Sequence, residues 1–200
     1  MRKAGTAILL LLLAAFLASL ATAVQSSELR IKVLTTPVDA SRAKHGVRIG
    51  RVIAGGMLIQ LHLGWRHRSW KEHRKALGEL HHVDVTPFDP ESKTRIPCAN
   101  VTFEAINKDT GKTVKGSLHP MWGGTGLHYA FNSRLVGDGT YEAKVTVRVP
   151  TFTRDLEDKR WMVPAIGKFH FKLVGGKLTE VSEPECTNVF RSTCNVRFGL

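Results

Sequence analysis

From Leu80 to Leu173 the chain repeats a short run of alternating apolar residues followed by a cluster of turn residues, a rhythm that admits little besides an all-β fold. Val101-Thr102-Phe103-Glu104-Ala105-Ile106 alternates cleanly and stops at Asn107-Lys108-Asp109-Thr110-Gly111-Lys112, a hairpin signal. After Gly137-Asp138-Gly139, a second run puts Tyr141, Ala143, Val145, Val147 and Val149 on one face. His81 to Thr86, Leu127 to Leu135 and Phe169 to Leu173 read the same way. Upstream, Val47 to Leu63 is broken by Gly55-Gly56, which predicts two strands and a turn, and Glu28 to Val33 alternates Leu29, Ile31 and Val33 with charges as a half-buried strand does. His62 and His170 each lie between two apolar neighbours, so both are expected to face solvent. The expected architecture is an antiparallel, immunoglobulin-like β-sandwich.

Two ends flank that core. Met1-Arg2-Lys3, the apolar run from Ala7 to Leu20 and Ala21-Thr22-Ala23 have the three parts of a cleavable secretory signal peptide, and the run is shorter than the roughly 20 residues a bilayer-spanning helix needs. The expected division is residues 1–23 signal peptide, 24–79 N-terminal strands and a basic His/Trp-rich segment, 80–175 sandwich core, and 176–200 C-terminal tail. Export places the protein in a periplasm or outside the cell. Loss of Arg2 and Lys3 would lower the net charge from +12 to +10, and a chain this basic is drawn to anionic surfaces. Export argues against nucleic acid, and leaves the cell envelope, contacted through the aromatic and cationic residues of segment 64–79. In an oxidising compartment Cys186 and Cys194 can close a short loop, which leaves Cys98 as a small buried apolar residue.

The residues with chemistry to offer lie in two places. In His119-Pro120-Met121-Trp122-Gly123-Gly124-Thr125-Gly126-Leu127-His128-Tyr129, a thioether and an imidazole sit seven positions apart, and three glycines allow the chain to turn between them. Thioether and imidazole together suit copper. His82 and Asp84 are two apart in an expected strand, leave the same face, and form a pair that suits iron, manganese or zinc.

The order of these parts resembles the periplasmic iron-transport family, Fe2+ transport proteins with an immunoglobulin-like sandwich. The resemblance is carried by His82-Val83-Asp84, where the family has His-x-Glu, by Pro120-Met121 with His128-Tyr129 seven residues on, by Asn132, and by Gly137-Asp138-Gly139-Thr140-Tyr141. A weaker echo lies in Gly56-Met57-Leu58-Ile59. It implies that His82, Asp84, Met121 and His128 bind metal, iron and/or copper with manganese or zinc as further candidates. It also implies a membrane iron permease as partner, and a homodimer. Two departures stand out. Asp84 is one methylene shorter than the family's Glu, and residues 151–158 contain no histidine where the family has one, although Asp155 and Glu157 are nearby donors.

Enzyme motifs are absent: there is no His-Glu-x-x-His, Gly-x-Ser-x-Gly or Gly-x4-Gly-Lys-[Ser/Thr] in the sequence. The expectation is a metal-capturing protein without catalytic residues. The competing reading is an envelope-associated structural or adhesive sandwich with no physiological metal.

Overall fold

The computed structural model describes residues 29–43, 46–65, 81–135, 137–153, 155 and 157–182. The expected signal peptide, residues 66–79 of the basic segment and the Cys186/Cys194 pair lie outside the described residues. Within them are ten strands: β1 (Ile31–Val38), β2 (Val47–Ala54), β3 (Met57–Trp65), β4 (His81–Phe88), β5 (Val101–Asn107), β6 (Thr113–Gly123), β7 (Gly126–Ser133), β8 (Gly139–Val147), β9 (Ala165–Val174) and β10 (Lys177–Ser182). A single 3-10 turn at Ala40–Arg42, capped by the Asp39 carboxylate on the Ser41 N–H, is the one helical element among the described residues. No helix of the described residues is long and apolar enough to cross a membrane.

Every pairing is antiparallel, in the order β1-β10-β9-β8-β5-β6-β7-β4-β3-β2. Strand β6 belongs to both halves: Thr113 to Leu118 pairs with β5, and His119 to Gly123 pairs with β7. The sheet therefore folds over on itself as a sandwich, and β2 lies across β9 and β10. Glycine makes that approach close: a Cβ at Gly50 would stand 2.8 Å from the Ser182 Cβ, and one at Gly167 would stand 2.6 Å from Val52 Cγ1. The alternation read from the sequence supplies the interior, with Phe103, Tyr141, Val145, Val147, Phe169 and Phe171 all buried.

Four local expectations are corrected. Leu29, Ile31 and Val33 are exposed, because β1 is an edge strand whose alternation does not meet the core. Cys98 is also exposed; its backbone has φ of 52°, a left-handed conformation in the loop after β4 that turns the thiol outward. Strand β10 begins inside the stretch assigned to a tail, and joins β9 to β1. Finally, His170 is buried, because its Nε2–H donates to the Glu180 carboxylate on that strand (2.9 Å) and its backbone N–H donates to Ser182 Oγ (2.6 Å).

Candidate metal centre

Strands β6, β7, β4, β3 and β2 lie side by side, and their outward positions carry the polar residues. Hydrophobic packing decides which way each side chain goes. Val83 and Val85 are wholly buried between the layers, so His82, Asp84 and Thr86 leave β4 on the opposite face. Tyr129 likewise points inward, where its hydroxyl donates to the Ile96 carbonyl and accepts the Ala99 N–H, both at 3.0 Å. His128 and Asn132 are thereby turned to the outer side of β7.

Met121 and His128 are direct cross-strand partners, and the hairpin between them closes at the Gly123–Gly126 pair. Side chains opposed in this way have Cβ atoms about 5 Å apart. The turn is tighter than the glycine content implies: of Gly123, Gly124 and Gly126, only Gly126 has positive φ (87°). Gly123 serves the site differently. A Cβ there would stand 3.2 Å from His128 Cε1, the carbon between the ring nitrogens, so the missing side chain keeps that ring edge clear.

On the neighbouring strand, Asp84 is the partner of Ala130, and His82 of Asn132. Across the intervening Asp84–Ala130 row, the His82 and His128 rings approach edge to face, 6.2 Å between centroids. Two imidazoles on one tetrahedral ion, with metal–nitrogen bonds of about 2 Å, have centroids roughly 5 Å apart, and a separation of 6.2 Å corresponds to a nearly linear nitrogen–metal–nitrogen angle. Both rings are buried and both are held by their Nδ1. His82 Nδ1 meets Asn132 Oδ1 at 3.0 Å, and His128 Nδ1 meets the Gly126 carbonyl at 2.9 Å. Since these partners are acceptors, Nδ1–H is the donor in each ring and Nε2 is left as the basic nitrogen, the arrangement that orients a ligating histidine. Asp84 is half-buried and accepts a bond from Thr86 Oγ1 at 3.2 Å.

The four anticipated residues thus occupy one face and adjoining strands. Among the described residues, however, no three His, Cys, Asp or Glu side chains are gathered tightly enough to hold an ion by themselves. Met121, the cross-strand partner of His128, adds a thioether to the same face. Asp155 and Glu157 are exposed in the segment between β8 and β9.

Register reveals neighbours that sequence spacing could not. One row across the strands reads Arg48, His62, Asp84, Ala130, His119, and the next pairs Arg51 with Gln60. His62 does point away from the core, yet it is half-buried and set among charges. Burial pushes its pKa down to about 4, opposed by nearby Asp84 and reinforced by Arg48, Arg51 and His128. It is therefore neutral at physiological pH, with the Gln60 amide on its Nε2 at 3.2 Å. Arg51 is buried, donates from Nε to Gln60 Oε1 at 2.7 Å, and has its pKa lowered to about 10, by burial first and Arg48 second. Arg95 comes from the loop after β4: NH1 donates to the Leu127 carbonyl at 2.5 Å, and the guanidinium lies over the Phe88 ring and against Gly126. Burial lowers its pKa and Asp84 partly restores it.

Comparison with known proteins follows the same lines. A family model described as Fe2+ transport protein matches residues 69–171. The sandwich superposes on FetP of uropathogenic Escherichia coli strain F11 with a TM-score of 0.57 at 22% identity, covering 64% of this chain and 95% of that one. A copper-bound variant of the same FetP gives 0.56 at 20% identity, covering 64% and 97%. The copper-reconstituted P19 protein of Campylobacter jejuni gives 0.55 at 20% identity, covering 70% and 98%. These likenesses show a common fold. In sequence, a UPF0423 protein of Brucella abortus is 30% identical over 90 residues, which make up 40% of this chain. The chain spans about half the length of that curated relative.

Proposed function

This chain belongs to the Fe2+ transport protein family, and on that premise we propose that it is a periplasmic carrier that captures iron, and copper as well, through His82, Asp84, Met121 and His128. Its cargo passes to an inner-membrane iron transporter, and its role is carriage, with no catalytic residue. The observation that supports this most is the outer face of β4, β7 and β6, where two imidazoles, each held through Nδ1, stand 6.2 Å apart between centroids beside a thioether. A FetP variant and the P19 protein that share the fold are copper-bound in their structures.

Nitrogen and sulfur donors give the site its copper character, and Asp84 supplies the hard oxygen that iron favours. Half-burial of Asp84 leaves a path for ligand exchange, which delivery requires. A homodimer is part of the same reading. Ligation needs neutral rings and an ionised carboxylate, so affinity falls as pH drops through the histidine range. The test is titration of the purified protein with copper(II) and iron(II), beside a Met121→Ala/His128→Ala variant. The parent is expected to bind near one ion per chain and the variant at least tenfold more weakly. Equal uptake by both would overturn the assignment and leave the structural or adhesive reading.

A further inference from the structure

The same face carries more positive charge than a site for a bare cation should. Arg48 is the cross-strand partner of His62, and His62 of Asp84, so Arg48 and Asp84 are two strands, roughly 10 Å of backbone, apart, within reach of a long side chain. Arg51 lies on the same strand as Arg48, close enough for each to act on His62. Arg95 approaches from the opposite side, where Asp84 acts on it in turn. Among the described residues Asp84 makes no ion pair within 4 Å; its bond is to the Thr86 hydroxyl. Among the described residues, the guanidiniums of Arg48 and Arg95 thus share this face with one carboxylate, that of Asp84. Entry of a divalent ion would raise the surplus from one positive charge to three. At separations of about 8 Å and an effective dielectric near 20, each added like-charge pair costs roughly a factor of ten or more in affinity.

We propose that this face takes its metal together with a small multivalent oxyanion, a chelate rather than a bare ion, and that Arg48 and Arg95 hold the anion. This rests on the metal-carrier reading above. Guanidiniums suit the role, since each presents a planar fork of N–H donors that matches carboxylate and phosphate oxygens. Arg95 uses one donor on the Leu127 carbonyl and is steadied by Phe88, so its fork is set beside His128 at no further ordering cost. The guanidinium packs against Gly126, 3.5 Å from where a Cβ would be.

The experiment loads the purified protein with copper(II) in a non-coordinating chloride buffer, with no anion, with citrate or with inorganic phosphate, and measures metal and anion retained after gel filtration. Citrate and phosphate without metal complete the set. Retention of about one anion per chain, dependent on metal, is expected. Arg48→Gln/Arg95→Gln should weaken anion retention by at least about tenfold while binding metal alone as tightly or more tightly. Arg48→Lys/Arg95→Lys, which keeps the charge, should stay within about threefold of the parent. Citrate retained without phosphate identifies a preformed chelate as the source, and phosphate retained identifies a separately recruited oxyanion; either supports the shared chemistry. Metal bound by the parent with no anion retained would overturn this inference alone. Anion retention by the Gln variant equal to the parent's would also overturn it. Absence of metal binding by the parent would remove the carrier reading and this one with it.

Discussion

Replacing Gly123 with alanine tests whether the orientation of His128 matters to metal binding. The added methyl would sit 3.2 Å from His128 Cε1, a few tenths of an ångström inside ordinary contact. The ring must yield, because Gly123 is held by its pairing with Gly126. Yielding stretches the Nδ1–Gly126 bond, 2.9 Å in the parent, whose net worth is about 1 kcal/mol. That alone is roughly fivefold in affinity, and rotation of Nε2 away from its line to the metal adds to it. Copper should therefore bind about 5- to 30-fold more weakly to Gly123→Ala in competition with a chromophoric chelator. Thermal stability should hold or rise, since alanine is the better strand residue. Gly124→Ala is the control, with nothing within 4 Å of its would-be Cβ and no positive φ. An affinity for Gly123→Ala equal to that of the parent would show that His128 is not a ligand in this orientation.

Other expectations follow from single contacts. Asn132→Ala removes the acceptor from His82 Nδ1 and should lower metal affinity about 10- to 100-fold by titration, with the fold intact by circular dichroism. Tyr129→Phe strands the Ile96 carbonyl and the Ala99 N–H, and should cost about 1–3 kcal/mol in urea unfolding. His62 is driven to about 4 in the fold against an ordinary 6.5, so between those values the unfolded chain binds more protons. Its contribution to stability is thus full above that window and is lost as pH falls through it. After allowance for its partial exposure, His62→Gln should flatten the pH dependence of unfolding there by about 1–2 kcal/mol. NMR titration of the His62 ring near its ordinary value would refute that.

Much of this molecule is legible in its sequence where a rule is local. Period-two alternation exposes β5 and β8, and Gly55-Gly56 marks the β2–β3 turn. The same rule puts His82 and Asp84 on one face, and a glycine-rich connection suggests that Met121 and His128 meet. What escapes is what depends on partners distant in the chain. His62 reads as a solvated histidine because nothing in its neighbourhood announces that β4 will pair with β3 and set Asp84 opposite. His170 reads the same way, since its burial depends on Glu180 and Ser182 in a strand that looks like a tail. Arg95 lies in an undistinguished loop, and reaches the site only because β7 returns beside β4. The exposure of Ile31 and Val33 is likewise set by an edge position that alternation cannot report.

X-ray absorption at the copper edge of the loaded protein tests the central claim most directly. Two imidazole nitrogens and one thioether sulfur in the first coordination sphere are expected, with the sulfur lost in Met121→Ala and one imidazole lost in His128→Ala. A sphere of light atoms alone, unchanged by either substitution, would contradict the assignment of this face as the metal site.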